Sequence, residues 1–251
     1  MPKYIFLTLS FLISCSAKNI DDTPPFQINF EARQAIVFEG KINSQNIAKF
    51  EKAFHASNDK ITTLIINSPG GEVFAGMQLG KLVNKYKLDV VVKGICGSTC
   101  ANYVITASPN VIVNKGALIG WHGGSFQPYY SSLEPSFIDK VLLYFSKTPN
   151  HVDEYINKWQ NEEMKFFNQV KVNSAITVLG MMPGLKRKRD AMLFSYDPYT
   201  LKRLGVNIEF KGKQAEHSKS NKKIVQIFHL NKDLLTKLLE IHRKNVEELS
   251  N

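Results

Sequence analysis

Short apolar runs alternate with segments of helical spacing between residues 35 and 121, and no other feature limits the fold as strongly. Consecutive parallel strands must be joined by a crossover, so this order predicts βαβ units around a mostly parallel sheet. The chain is therefore predicted to be of the α/β class. The predicted strands are 35–40, 62–67, 89–92, 111–113 and 117–121, and the predicted helices are 44–56, 73–87 and 101–107, the first with Ser44 as candidate N-cap.

The rest of the chain carries two long helical patterns and few strand signals. Prolines interrupt residues 127–150, so no single helix is predicted there. An Asp-Pro pair at Asp197 predicts the start of a short helix that ends near Leu204. The other predicted elements are a helix over 152–172, an edge strand over 206–210, a flexible loop over 211–223 and an amphipathic C-terminal helix over 232–249.

The composition is that of a globular protein with excess positive charge. The chain has 251 residues, of which 43% are hydrophobic, enough for one large domain with a sizeable core. Its 32 Lys and Arg residues exceed its 22 Asp and Glu residues, which gives a formal net charge of +10. Much of the excess lies in residues 186–189 and 211–223, where no aromatic side chain separates the basic ones. Without such stacking platforms we predict a solvated surface and no nucleic-acid partner.

The amino terminus has the pattern of an export signal. Residues 4–13 are apolar and have the length of a secretory signal core, which is too short to span a bilayer. The sequence LISC at residues 12–15 resembles a bacterial lipobox, which implies lipidation of Cys15 and a membrane anchor. A signal peptide cleaved later, with Cys15 unmodified, is the alternative. We predict a protein of the cell envelope that faces the periplasm or the exterior.

Four segments follow from these patterns. Residues 1–14 are predicted to be a lipoprotein signal peptide, and the polar residues 15–27, with their Pro-Pro pair, a tether. Residues 28–210 form the predicted main domain. Residues 211–251 comprise the basic loop and the C-terminal helix.

Two further cysteines, Cys96 and Cys100, lie four positions apart. In an exported protein they could form a disulfide across a strand-to-helix corner, although two reduced, buried thiols fit the spacing equally well. The sequence has no second Cys pair and no His-x-x-x-His spacing, so no metal site is predicted.

Three polar motifs follow successive predicted elements, at the sheet edge where parallel α/β proteins collect ligands and catalytic groups. The first, NSPGG at residues 67–71, can present backbone N–H groups to an oxyanion. The second, CGSTC at 96–100, places Ser98 at the start of a helix, as a nucleophile or as an N-cap. The third, GWHGG at 120–124, places His122 at the end of a strand, as a base or as a structural histidine.

Together these motifs resemble the ClpP/crotonase superfamily. The sequence LIINSPGGEVFAGM at residues 64–77 is similar to the signature of the Clp protease proteolytic subunit, and the resemblance runs over residues 35–124 and returns weakly over 190–206. It implies a ClpP/crotonase-like spiral of βαβ units. It also implies that Ser98 is the nucleophile, that His122 is the general base, and that the amides of Gly71 and Thr99 form the oxyanion hole.

The resemblance leaves the third catalytic group open. Asp190 is favoured because the run after it matches the family, Asp197 is the alternative with an evident second use as a helix cap, and a dyad without a carboxylate is also open. A Ser–Lys dyad with Lys140 as base, as in signal-peptide-peptidase-like relatives, is a further alternative. The paired Gly-rich signatures and acidic bases of acyl-CoA enzymes are not evident.

The function predicted from these features is that of an exported serine endopeptidase acting on peptides or unfolded segments, without a cofactor. The two cysteines beside Ser98 resemble periplasmic ClpP-like proteins. Prolines and tyrosines disturb the region of the family's inter-ring helix, so association into a homo-oligomer is left open and a double ring is not assumed. The alternative function is a non-catalytic envelope lipoprotein that uses the fold as a binding or assembly module.

Overall fold

A seven-stranded sheet forms the centre of the protein, for which we describe a computed structural model that covers residues 27–30, 34–57, 61–130, 150–188, 191–217 and 224–249. The strands are β1 (Gln27–Phe30), β2 (Ala35–Glu39), β3 (Thr63–Ser68), β4 (Asp89–Gly97), β5 (Val111–Val113), β6 (Leu118–Gly120), β7 (Leu193–Tyr196), β8 (Ile208–Phe210) and β9 (Val225–Phe228). The central sheet has the order β1-β2-β3-β4-β5-β8, with β6 also paired to β4. The β1–β2 pairing is antiparallel and its other pairings are parallel.

Among the described residues, five α-helices connect or cover these strands. They are α1 (Ser44–Ala56), α2 (Val73–Tyr86), α3 (Asn150–Val170), α4 (Pro198–Arg203) and α5 (Lys232–Leu249), and a π-helical segment spans Cys100–Ile105. In the part of the chain that the structure describes, no helix combines the length and the apolar character needed to cross a membrane. The α/β class, the βαβ units and the C-terminal helix predicted from the sequence are confirmed.

The register of β3, β4 and β6 brings the three polar motifs to one edge of the sheet. Ser68 at the end of β3 pairs with Cys96, and Gly97 at the end of β4 pairs with Gly120 at the end of β6. Since parallel strands end at the same edge, the residues that follow them lie together. Ser98 directly follows the end of β4, and His122 lies two residues after the end of β6.

A second, two-stranded sheet closes this edge. β7 and β9 pair in parallel, and β7 is joined to the main sheet by backbone hydrogen bonds from Trp121 N to Phe194 O (2.7 Å) and from Phe194 N to Trp121 O (2.8 Å). Phe194 is fully buried and its ring contacts those of Tyr196 and Phe228. This bridge places the start of β7 beside the strand that leads into His122.

Several predicted boundaries differ from the structure. The N-cap of α1 is Asn43 and not Ser44, because the Asn43 side chain accepts the Asn46 N–H at 2.8 Å while Ser44 is already helical. β4 runs to Gly97, beyond the predicted Val92, since its second half pairs with β6. The antiparallel β1 and the strand β9 were not predicted. The predicted start of the flexible loop, residues 211–217, contains no helix, and 218–223 lie outside the described residues.

Candidate active site

Ser98 occupies a sharp corner between β4 and the π-helical segment. Its φ is +55°, in the left-handed region that a residue with a side chain adopts rarely and only where its surroundings hold it. Its N–H donates to Gly120 O at 3.0 Å, and its C=O accepts from Asn102 N at 2.8 Å. A Cβ on Gly70 would lie 2.8 Å from the Ser98 Cβ, so only glycine fits opposite this corner. Ser98 is thus held by β6 and by the helical segment that follows it, in a conformation typical of an elbow that presents a nucleophile.

A disulfide joins the two residues that flank this corner. Cys96 and Cys100 are bonded, with their Cα atoms 5.2 Å apart, and both are fully buried. The sequence left a disulfide and two free thiols open, and the structure contains the disulfide. The bond ties the end of β4 to the start of the helical segment and so encloses Ser98.

Loss of this disulfide is expected to lower the free energy of unfolding by about 2 kcal/mol, because closing even a short loop restricts the denatured chain. The measurement is urea unfolding of a Cys96→Ala/Cys100→Ala variant against the oxidised wild type. Reduced wild-type protein is the matched control, since it keeps both sulfur atoms in the core. An unchanged unfolding free energy in both reduced and substituted protein would contradict the prediction.

His122 follows β6 and is held there by the backbone bridge of Trp121. Burial lowers the pKa of the His122 imidazole below its ordinary value, its own backbone opposes that shift, and the positive charge of Arg187 adds to it. A neutral imidazole can accept a proton, whereas a charged one cannot. The surroundings of His122 therefore favour the form that a general base requires.

The Pro-Gly-Gly turn lies directly opposite Ser98. Gly71 N donates to Thr99 Oγ1 at 2.7 Å, and Gly70 N donates to Ser68 Oγ at 3.1 Å. A Cβ on Gly71 would lie 1.9 Å from Ile42 O, so the close backbone approach requires glycine. The predicted oxyanion donor Gly71 thus binds a hydroxyl oxygen of the residue after Ser98, and an oxyanion at this place would have to displace that hydroxyl.

One cavity of about 740 Å³ contains all four of these groups in its wall. Ser98, His122, Gly71 and Thr99 line it together, so the nucleophile and the base predicted from the sequence face the same space. The lining also contains large apolar or aromatic side chains, which are Val73, Phe74, Tyr155 and Trp159. A cavity lined by apolar and aromatic side chains together with a few polar groups is typical of a binding site for an organic substrate.

Three predicted residues fall outside the described part of the chain: the favoured third catalytic group Asp190, the alternative base Lys140 and the lipidation site Cys15. The alternative Asp197 is described and has another role. Its Oδ1 accepts the Thr200 N–H at 2.7 Å as the N-cap of α4, and its Oδ2 lies 3.2 Å from His229 Nδ1. Asp197 is therefore the N-cap of α4 that the Asp-Pro pair predicted, and both of its carboxylate oxygens have partners there.

The sequence analysis missed two buried polar residues beside the cavity. Asn102 lines it, donates Nδ2 to Gly123 O at 3.0 Å, and has a buried Oδ1 without a hydrogen-bond donor among the described residues. Glu163 is fully buried on α3. Its position four residues after Trp159 and three before Phe166, on an apolar face, was the signal that could have identified it.

Neither a protein-family model nor a curated protein sequence matches the chain. Among solved structures, it is similar to an enoyl-CoA hydratase from Shewanella pealeana, at 10% identity and a TM-score of 0.32 over 55% of this chain and 62% of that one. It therefore spans less than two thirds of that protein.

Two other solved structures are also similar. One is an enoyl-CoA hydratase/isomerase from Marinobacter aquaeolei, at 10% identity and a TM-score of 0.39 over 88% of this chain and 76% of that one. The other is a mutant of a membrane-bound stomatin-specific protease, at 17% identity and a TM-score of 0.31 over 79% of this chain and 95% of that one. At these TM-scores the alignments assign no activity to this chain.

Proposed function

We propose that the protein is a serine peptidase that cleaves peptides or unfolded segments through Ser98 and His122. The observation that carries this proposal is the shared cavity, whose wall contains Ser98, His122 and the turn at Gly71. A strained serine, a neutral imidazole and adjacent main-chain N–H groups are the parts that acyl transfer requires.

The reaction would proceed in two acyl-transfer steps. Ser98 Oγ attacks the scissile carbonyl carbon while His122 takes the hydroxyl proton, and the carbonyl oxygen becomes an oxyanion. The amides of Gly71 and Thr99 would stabilise that charge once the Thr99 hydroxyl has left the Gly71 N–H. The C–N bond then breaks as His122 returns the proton to the leaving amine. Water, activated by His122, hydrolyses the acyl-enzyme and restores Ser98.

Asp190 is the residue we propose to orient His122. Support comes from the described residues around it. Arg187 Nη2 donates to Ala191 O at 3.0 Å and to Met192 O at 2.6 Å, which anchors the chain directly after Asp190. Arg187 is also close enough for its charge to lower the pKa of His122. Ala191 and Met192, which lead into β7, are thus bound by an arginine whose charge reaches His122.

Export and lipid anchoring through Cys15 are part of the same proposal. Support comes from the buried disulfide between Cys96 and Cys100, because structural disulfides persist chiefly in oxidising compartments outside the cytosol. An anchored peptidase at the cell envelope would meet exported or misfolded chains as substrates.

A non-catalytic binding module is the second candidate, and one observation favours it. The Gly71 N–H already has an acceptor, the Thr99 hydroxyl, within the protein itself. If that contact persisted when a ligand is bound, the cavity would lack one oxyanion donor and could bind peptides without cleaving them.

Reaction with a fluorophosphonate probe distinguishes these functions, since the probe forms a bond to an activated serine oxygen and releases fluoride. We expect the wild-type protein to gain the phosphonyl group on Ser98, located by mass spectrometry of its peptides. The Ser98→Ala variant is the control and should remain unlabelled. Absence of labelling of the folded wild type between pH 5 and 9 would reject the peptidase and support the binding module.

A further inference from the structure

A buried carboxylate lies behind the active site and contacts both elements that carry the catalytic pair. Glu163 on α3 has no solvent exposure. Desolvation on burial raises the pKa of its carboxyl group, and hydrogen bonds from Ser125 and Tyr103 oppose that shift. A buried carboxylate is costly unless each of its oxygens is hydrogen-bonded. Glu163 meets this condition, because both of its oxygens accept hydrogen bonds.

One oxygen of Glu163 binds the loop that begins at His122. Its Oε2 accepts the Ser125 backbone N–H at 2.8 Å and also the Ser125 hydroxyl. Gln160, one turn earlier on α3, donates Nε2 to Ser125 O at 3.2 Å. Ser125 lies three residues after His122. Helix α3 thus binds both the backbone N–H and the backbone C=O of Ser125.

The other oxygen of Glu163 binds the helical segment that follows Ser98. Its Oε1 accepts the Tyr103 hydroxyl at 2.7 Å, and Trp159 Nε1 donates to the same hydroxyl oxygen at 2.9 Å. Burial and the carboxylate raise the pKa of Tyr103 well above its ordinary value, so the phenol keeps the proton that it donates. Tyr103 is itself fully buried and one turn beyond Ser98.

A direct contact between the two elements completes this arrangement. Asn102 Nδ2 donates to Gly123 O at 3.0 Å, next to His122. A Cβ on Gly124 would lie 2.4 Å from Thr177 Oγ1 and 3.1 Å from Glu163 Oε1, so the loop packs closely against both side chains.

We propose that Glu163 is a positioning residue that sets the distance between Ser98 and His122, by binding the nucleophile's helical segment through Tyr103 and the base's loop through Ser125. This inference rests on the proposed peptidase function. Glu163 touches no substrate; it acts through the two elements it joins. A neutral amide in its place offers one acceptor oxygen instead of two, so it cannot accept from both Tyr103 and Ser125 through separate oxygens, and one of these hydrogen bonds must reverse its direction or be lost.

The test compares Glu163→Gln with Glu162→Gln. Glu162 is the matched control because it is the neighbouring carboxylate on α3 and pairs instead with Lys81 at 3.4 Å and Lys165 at 3.1 Å on the surface. Two quantities are measured in each protein: the second-order rate constant of Ser98 with a small fluorophosphonate, and the pKa of His122 from NMR of ¹³C-labelled imidazole. The second does not depend on catalysis.

Glu163→Gln is expected to slow Ser98 modification by about 10- to 100-fold, the usual effect of a misplaced catalytic group. It should also shift the pKa of His122, while Glu162→Gln changes neither quantity. If the folded Glu163→Gln protein keeps the wild-type rate and His122 pKa, the proposal is overturned. A wild type that is not labelled, but whose His122 pKa still shifts in Glu163→Gln, would reject the peptidase and retain the positioning role.

Two milder variants keep the proposal testable if Glu163→Gln does not fold. Ser125→Ala removes one hydroxyl from the loop side and Tyr103→Phe removes one from the helical side, and each leaves the carboxylate in place. Both should slow Ser98 modification, and each effect should shrink when Glu163 is already Gln, since the three groups act as a unit. Independent, fully additive effects would contradict the proposal.

Discussion

Replacing His122 with alanine is expected to slow the modification of Ser98 by about 10²- to 10⁴-fold, the usual contribution of a general base. Without an imidazole in the cavity, the Ser98 hydroxyl must lose its proton to water as it attacks. The rate constant for fluorophosphonate modification measures this loss directly. His229→Ala is the control, because His229 is exposed, contacts Asp197 and lines a different cavity.

The pH dependence of the same reaction tests the surroundings of His122. Burial, and to a smaller extent the charge of Arg187, lowers the pKa of His122 from its ordinary value of 6.5. A base with a lowered pKa stays neutral at lower pH, so the acid limb of the rate profile should lie below pH 6.5. Arg187→Gln removes one of the two causes and should move that limb towards higher pH.

Added imidazole provides a sharper version of the His122 experiment. The cavity of about 740 Å³ has room for a free imidazole once the side chain is removed. We expect imidazole to restore part of the rate in His122→Ala and none in Ser98→Ala. A His122→Ala protein that reacts as fast as wild type would show that Ser98 is activated by another group, and the assigned mechanism would fail.

That Ser98 and His122 line one cavity could be expected from the sequence, because both follow parallel strands. The residues after β4 and β6 share an edge in any parallel arrangement of those strands, whatever the side chains around them. Local patterns also gave α4 and α5, since an Asp-Pro start and an apolar stripe are properties of neighbouring residues.

The finer chemistry of the site depends on contacts between residues far apart in the chain, and so could not be predicted. The Gly71 N–H binds a hydroxyl 28 positions later, and the Glu163 carboxylate reaches back 60 positions to Tyr103. Nothing near Gly71 or Glu163 in the sequence specifies these partners. The strand β9 was missed for a similar reason: its short apolar run follows a basic segment, and its pairing with β7 is long-range.

Acid is expected to destabilise the fold through a second buried histidine, His242 on α5. Its ring lies between two hydroxyls, with Nδ1 2.7 Å from Tyr130 Oη and Nε2 2.9 Å from Ser174 Oγ. Only 3% of the residue is exposed, and this burial lowers the pKa of His242 from 6.5 to about 4. The neutral ring therefore links α5 by hydrogen bonds to the segments that contain Tyr130 and Ser174.

The direction of the effect follows from which state binds the proton. Between pH 6.5 and about 4, the unfolded chain takes up a proton on His242 and the folded protein does not. The stabilisation is thus fully present above pH 6.5 and is lost as the pH falls through this interval. This difference between the pKa values of His242 in the unfolded and folded states corresponds to about 3 kcal/mol of unfolding free energy.

Urea unfolding at a series of pH values between 7 and 4 measures this loss. His242→Gln cannot take up the proton, so its unfolding free energy should depend less on pH than that of the wild type. Uptake of one proton corresponds to a difference in slope of up to about 1.4 kcal/mol per pH unit. His217→Ala, at an exposed position, controls for the general effect of removing a histidine. Since carboxylates titrate in the same range in all three proteins, the informative quantity is the difference between the slopes. Equal slopes for wild type and His242→Gln would mean that His242 is protonated in the folded state, and that α5 is held by its apolar stripe alone.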